Sequence, residues 1–514
     1  MPSSTISDPA IETTPSAAKI SRVGWFSIIF SFPTMCMSLL TAVIFYYSVR
    51  GIDEPDIWWH LRDARSLLHN HVFLRMDTYT FTVAGSPWIN FEWLSEVPYY
   101  LAYQFAGLRG MLAVYFVVLS LIYIAVYYRT SRAGADCKDA AIATLGAICL
   151  GGVSMAPRML LFGWLCLMGV LLVLDYFKQT GGGLWLLPPI FLLWINLHGS
   201  WVFGFVILGA TIIAGLVEGQ WGRVVAQRWS NSQIKKLLLF SGLSFAALFV
   251  NPIGYKLVLY PFDLLFRQQN VMQFIEEWQP VDFGGTNGKL AMALIIAVLA
   301  ATLFSRRRWQ LDETLLTLFA LWTALSHARF MFFAGLILAP LLGPSLKLFP
   351  PYERELDKPW LNAAIIATMV AAMVHFYPSE AQLTQKVDEG YPRGALEFMQ
   401  QHHLNGRIFN RYGWGGYMEW FAPELKPGID GRADIFVYKG VFMDFLDAMA
   451  LKEPFEILDK YQIDYVLVQP KQPMTYMLEH SPSWHVIYED KVAVLLERRP
   501  AKIAEFQHRG IRPN

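Results

Sequence analysis

Up to about residue 376, long apolar runs alternate with short charged stretches. The runs lie near residues 25–47, 109–128, 139–156, 159–177, 184–197, 200–217, 236–251, 289–305, 312–327, 329–346 and 360–376. Each reads as a helix. A helix needs roughly 20 apolar residues to cross a bilayer without tilting, so the pattern predicts about eleven spans. The short runs at 184–197 and 312–327 could instead be re-entrant or paired with a neighbour. The first run follows Lys19 and Arg22, is too long for a signal-peptide core and lacks a small-residue cleavage site, so it reads as a retained helix. Residues 1–23, polar and rich in Ser, Thr and Pro, read as a disordered N-terminus.

Beyond residue 376 charged and apolar positions mix. A helical segment at Pro392–His402 precedes strand-like runs at Gly406–Asn410, Tyr465–Gln469, Trp484–Tyr488 and Val492–Glu497. The fold class predicted is an α-helical polytopic membrane protein over residues 24–376, with large loops at 51–108 and 252–288. A C-terminal α/β domain follows over 377–514.

Basic residues orient the bundle. Lys19 and Arg22 precede the first run. Arg129, Arg132 and Lys138 separate the second and third, and Lys178 follows the fourth. Arg223, Arg228, Lys235 and Lys236 lie between the sixth and seventh, and Arg306, Arg307 and Arg308 follow the eighth. Lys347, Arg354 and Lys358 separate the last two. Every second loop is therefore basic, which predicts a cytoplasmic N-terminus, outward loops at 51–108 and 252–288, and an extracytoplasmic tail. Internal repeats of the kind found in many transporters are not evident.

Composition agrees with the membrane reading: 54% of residues are hydrophobic and 16% charged, against about 25% charged in a soluble domain. A net charge of +1 lacks the basic face that nucleic acid requires. Cys36, Cys137, Cys149 and Cys166 show neither disulfide nor zinc spacing and read as core or loop residues.

Candidate chemistry gathers where the first run ends. Asp53, Glu54 and Asp56 precede Trp58, Trp59, His60 and Arg62, a mixture suited to the membrane surface. Carboxylates there could deprotonate an acceptor hydroxyl or ligate a divalent cation. Asp77 and Glu92 are further carboxylate candidates, although a turn cap and a first-turn helix charge would also account for them. Arg158, Asn196, His198, His327 and Arg329 sit at the predicted outer membrane boundary, where ionisable groups face a cavity or a partner. Together they could hold a phosphate or pyrophosphate, which the planar fork of arginine suits. In the second large loop, Lys256 could meet a phosphate, Glu277 a hydroxyl, and Trp278 the apolar face of a sugar.

The block Pro55-Asp56-Ile57-Trp58-Trp59-His60-Leu61-Arg62, the stretches 77–82 and 87–94, and Asn196-Leu197-His198-Gly199 resemble a bacterial branch of the GT-C integral-membrane glycosyltransferases. So do Asn251-Pro252-Ile253-Gly254, Glu277-Trp278-Gln279-Pro280, residues 412–417 and Ile429-Asp430-Gly431-Arg432. The resemblance runs from residue 24 to about 498. The wider superfamily includes protein mannosyltransferases, oligosaccharyltransferases and aminoarabinose transferases. It implies a multi-span bundle in the bacterial plasma membrane, a polyprenyl-phosphate-linked sugar donor and an acidic catalytic residue in the first outer loop. Asp56 occupies that acidic position. Glu54-x-Asp56 is also similar to an acidic motif that binds metal in some members, which leaves magnesium or manganese open as a cofactor.

Three readings follow. The first is an inverting transferase acting on a glycan, lipid or protein acceptor. The second is a lipid-linked glycan ligase or polymerase with similar chemistry. The third is a non-catalytic transporter or assembly factor, which should place its charges at mid-span. Clustering of the ionisable residues on the outer side favours an enzyme.

Overall fold

The computed structural model describes residues 24–52, 54–267 and 276–499; the N-terminal segment and Asp53 lie outside them. Two short N-terminal helices, α1 (Trp25–Ile29) and α2 (Phe32–Ser48), lead into α3 (Ile57–His69). The bundle continues through α4 (Trp93–Arg132), α5 (Cys137–Gly151), α6 (Leu160–Thr180), α7 (Leu187–Leu197), α8 (Trp201–Leu216), α9 (Asn231–Ala247) and α10 (Tyr255–Arg267). It ends with α11 (Thr286–Phe304), α12 (Leu311–Ser326), α13 (Met331–Leu346) and α14 (Pro359–His375). Each apolar run of the sequence holds a helix.

Four helical stretches among the described residues are long and apolar enough to cross a membrane: Trp93–Arg132, Leu160–Thr180, Thr286–Phe304 and Ala328–Leu346. A fifth is added if α14 and α15 (Glu380–Asp388), bent by 57°, form one span. The others are shorter for a plain reason. At about 1.5 Å per residue, a helix such as α2 or α8 falls short of the roughly 30 Å hydrocarbon thickness.

The longest helix is two helices in series. Ala106 and Gly107 leave helical geometry, and Gly107 takes a φ of 61°. The Glu380 carboxylate accepts from the backbone N–H groups of Leu108 (2.8 Å) and Arg109 (3.1 Å), satisfying donors that the break exposes. A Cβ at position 107 would displace that carboxylate from the two N–H groups, and the positive φ itself favours glycine.

Charged pairs tie together the end of the bundle remote from α3. Arg129 meets Asp175 at 2.6 Å, Lys178 pairs with Asp312, and Arg307 meets Glu313 at 2.6 Å. Strands β1 (Gly219–Trp221), β2 (Val224–Ala226) and β3 (Trp309–Gln310) form a small sheet at this end.

The tail carries α16 (Arg393–Gln401), β4 (Ile408–Asn410), α17 (Gly415–Phe421), α18 (Ala433–Tyr438), α19 (Val441–Met449), α20 (Pro454–Lys460), β5 (Tyr465–Val468), α21 (Pro473–Glu479), β6 (Trp484–Glu489) and β7 (Val494–Arg498). Its sheet has the order β4-β5-β7-β6, with β4 and β5 parallel and the other pairs antiparallel. The parallel pair needs a crossover, which α17 to α20 supply. Phe409, Val466, Val468, Trp484 and Leu496 bury one core beneath the sheet. The tail is not a detached domain: α17 packs on α3, and Trp58 contacts Tyr391 and Tyr417 edge-on at 5.7 and 5.4 Å.

Candidate active site

Asp56 sits at the N-cap of α3, in the turn Glu54-Pro55-Asp56 that links α2 to it. Ile57, Trp58 and Leu61 are fully buried and pin the helix, so the turn is held from below. From above, the tail closes on it. A Cβ at Gly431 would collide with Asp56 Oδ1, and one at Gly416 would press on the Pro55 carbonyl and Trp59. The Asp-Gly-Arg and Gly-Gly turns of the tail thus need glycine because their backbone lies against the carboxylate's turn.

Three further segments reach the same end of the bundle. Arg158, in the turn between α5 and α6, is bound by the carboxylates of both Glu54 and Glu277. The break between α12 and α13 carries His327 and Arg329. His327 Nδ1 lies 2.6 Å from the Trp278 carbonyl, and the Arg329 guanidinium stacks 4.5 Å above the Trp278 ring. Arg329 Nε is buried with no hydrogen-bond partner, and the residue has no carboxylate at ion-pair distance among the described residues. Glu277, Arg158, Glu92 and Glu54 all lie within its electrostatic reach.

Glu92 joins two histidines. His198 caps the end of α7, and its Nδ1 accepts the Ser200 backbone N–H at 2.9 Å. That bond leaves the ring proton on Nε2, which donates to Glu92 Oε1 at 3.0 Å. On the other side, Glu92 Oε2 lies 3.6 Å from His60 Nε2, and His60 Nδ1 meets Glu96 at 2.9 Å. Asn90 Nδ2 donates to Glu96 (2.8 Å) and Asp63 (3.2 Å), and the Tyr79 hydroxyl donates to Asp63 (2.5 Å).

Electrostatics separates the carboxylates. Burial, reinforced by the Glu54 charge, pushes Asp56 well above the usual carboxylate range, and Arg158 only partly opposes this. Asp56 nevertheless keeps part of its surface accessible and has no ion pair among the described residues. For Glu92 burial also acts upward, but the hydrogen bond and charge of His198, with the Arg329 charge, outweigh it and hold Glu92 low. Burial lowers His60 to about 4, so it is a neutral imidazole near neutral pH.

Other sequence candidates lie apart. Asp77 is fully buried; it accepts from the Tyr79 and Thr80 backbone N–H groups, the Thr80 hydroxyl and Arg432 Nη2 (2.7 Å). That makes it an anchor between the first large loop and the tail. Arg62 stacks on Tyr79 at 4.0 Å. Asn196 accepts from Trp93 Nε1 (3.1 Å) and donates to the carbonyls of Leu192 and Val250, a structural tie. Lys256 is exposed on α10, in a separate groove. The sequence reading did not single out Asp63, Glu96, Asn90, Glu419 or Arg432 as site residues. Buried carboxylates among aromatics were the available signal, visible in Trp93-Leu94-Ser95-Glu96 and Met418-Glu419-Trp420.

The apolar helices and their packing define a helical membrane protein. No family model matches the sequence, and no curated protein matches it significantly.

Proposed function

We propose that this chain is a GT-C-type membrane glycosyltransferase that moves a sugar from a polyprenyl-phosphate donor to an extracytoplasmic acceptor, inverting the anomeric carbon. One observation carries the reading: the three candidate carboxylates are in different states. Asp56 keeps part of its surface accessible, has no ion pair among the described residues and is raised by burial, whereas Glu92 is committed to its histidines and Asp77 to Arg432. A general base must be both reachable and basic, and Asp56 meets both conditions.

In this reaction the acceptor oxygen bonds to the anomeric carbon as the bond from that carbon to the phosphate oxygen breaks. The bonding pair leaves with the phosphate, and the acceptor proton passes to Asp56. Negative charge grows on the departing phosphate, and Arg329, the guanidinium with spare donors, neutralises it. Arg158 is saturated by Glu54 and Glu277, so it holds the second large loop against the first and thereby positions Trp278 and Arg329. No group of three or more His, Cys, Asp or Glu among the described residues fits a cation, and Arg158 already occupies Glu54. Charge neutralisation is therefore assigned to arginine, and no step passes through magnesium or manganese.

About eleven helices would cross or enter the plasma membrane of a bacterium, the shorter ones locally thinning it. The contacts of Glu54, Glu92, Arg158, His198 and Arg329 support a common end for alternate helix termini, and the basic loops belong to the opposite end. That charge asymmetry supports an extracytoplasmic site and tail. Clustering at helix ends rather than mid-span supports an enzyme over a transporter. Glycan and lipid analysis of a deletion strain tests the function: one envelope component should lack one sugar while its polyprenyl-phosphate donor accumulates. An unchanged envelope and donor pool would refute it.

A further inference from the structure

Beside the candidate active site, α10, α18 and the stretch around Pro87 enclose a groove of about 420 Å³. Its charge is unbalanced. Lys256, Arg267 and Lys439 line it against a single acid, Asp263, and that carboxylate is already engaged by Arg267 at 3.3 Å and by the Tyr438 hydroxyl. Neither Lys256 nor Lys439 has a carboxylate partner among the described residues, and both are exposed. Tyr255 and Tyr438 add two aromatic rings, 61% and 55% exposed, at the rim. Ammonium groups beside exposed rings suit a saccharide that carries a negative group.

The groove also borders an apolar stripe. On α10, Leu259, Phe262 and Phe266 follow at helical spacing and are 55%, 40% and 69% exposed, while Leu257, Val258 and Tyr260 are buried against the protein. A short helix with one face packed on protein and another apolar face bare is suited to the bilayer surface. Lys256 and Arg267 stand at the two ends of this helix, so the charged groove opens where acyl chains would lie.

Its floor leads inward. Tyr260 lines the groove, donates to Asp434 at 2.8 Å, and stacks on Phe91 at 4.8 Å. Phe91 meets the His198 ring edge-on at 5.9 Å and immediately precedes Glu92. One pair of stacked rings thus separates the groove from the histidine–carboxylate cluster.

We propose that this groove binds the acceptor, and that the acceptor is an anionic glycolipid. Its acyl chains lie along Leu259, Phe262 and Phe266, its negative group meets Lys256, Lys439 and Arg267, and its sugar rests on Tyr255 and Tyr438. This rests on the transferase reading for the word acceptor, but the binding claim stands by itself.

The test is native mass spectrometry of the full chain, released from nanodiscs doped with one of three probes. These are sulfoquinovosyl diacylglycerol (anionic and sugar-bearing), monogalactosyl diacylglycerol (neutral and sugar-bearing) and phosphatidylglycerol (anionic, without a sugar ring). The wild type should retain the sulfolipid at least about tenfold better than either other probe, and Lys256→Glu/Lys439→Glu should lose that preference, since each surface charge contact is worth about 1 kcal/mol. Both lysines are exposed, and the charge-neutral Lys256→Gln/Lys439→Gln pair separates lost recognition from misfolding by giving an intermediate loss. Equal retention of the galactolipid would overturn the anionic requirement. Equal retention of phosphatidylglycerol would overturn the saccharide requirement. Unchanged sulfolipid retention in the glutamate pair would overturn the site. Asp56→Asn should retain the sulfolipid normally. If the sulfolipid preference held while a deletion strain kept an unchanged envelope and donor pool, the transferase reading would fail and the binding site would stand.

Discussion

Arg432 should control whether the tail stays closed over the site. It is 3% exposed and serves three carboxylates. Its Nε and Nη2 donate to Asp430 at 2.9 and 2.5 Å, Nη2 donates to Asp77 at 2.7 Å, and Glu419 lies at 3.7 Å. Asp77 belongs to the first large loop and Arg432 to the tail, so this cation links the two. Arg432→Met preserves much of the stem's volume but leaves Asp77 and Asp430 buried without a counter-ion. Removing one partner of a buried pair costs about 3–5 kcal/mol. At 1.4 kcal/mol per factor of ten, the undocked population should rise from about 10²-fold to several thousandfold. Limited proteolysis in nanodiscs reads this directly, because cleavage follows the open population when reclosing is fast. The tail should be released from Arg432→Met at protease levels that leave the wild type intact. Adding Asp77→Asn should cost less in the Arg432→Met background than in the wild type, because one of the orphaned charges is then already gone. Wild-type resistance in Arg432→Met, or strictly additive effects in the pair, would refute the linkage.

Three further outcomes follow from the same geometry. Burial, with the Asp430 charge, raises the Glu419 pKa well above the usual carboxylate range. A carboxyl raised on folding adds stability below its unfolded pKa of about 4.3 and loses it as pH climbs toward the folded value. Glu419→Gln should therefore flatten the decline in thermal stability as pH rises above about 4.3, and an unchanged slope would refute a raised Glu419 carboxyl. Arg329→Lys keeps the charge but loses the fork, so it should raise the KM for the polyprenyl-phosphate donor more than it lowers thermal stability, and Arg329→Met should nearly abolish donor use. Normal donor kinetics in Arg329→Met would remove Arg329 from phosphate binding. A cysteine at the exposed Glu479 position should react with a membrane-impermeant reagent in intact spheroplasts, and labelling only after lysis would invert the topology.

The helices were legible because bilayer-length apolar runs have one dominant solution, and their ends mark where polar residues must collect. Asp56, Arg158, His198 and Arg329 were found by that rule alone, and they do converge. The tail strands were legible as short strand-like runs; Tyr465–Val468 and Trp484–Glu489 fall within a residue or so of them. Partners were not legible. The turn cap that Asp77 makes to Tyr79 and Thr80 was legible; its lock to an arginine far along the chain, which sets it apart from Asp56, was not. Nor does the apolar run at 109–128 reveal that a second helix, from Trp93, runs directly into it, because the break at Gly107 is healed by Glu380 from the tail. The groove at Lys256 was hidden for the same reason: Lys439 comes to it from another part of the chain.

The central claim is that Asp56 takes the acceptor proton, and single-turnover transfer by purified Asp56→Asn tests it most directly. Asparagine retains the shape and removes the basic charge, so transfer should fall about 10²–10⁴-fold while donor binding and thermal stability hold. Glu92→Gln and Asp77→Asn, run alongside, should lose less at the chemical step, because those carboxylates orient histidines and the tail. Near-normal transfer in Asp56→Asn with an inactive Glu92→Gln would move the base to Glu92. Full transfer in all three would contradict carboxylate-driven glycosyl transfer by this chain.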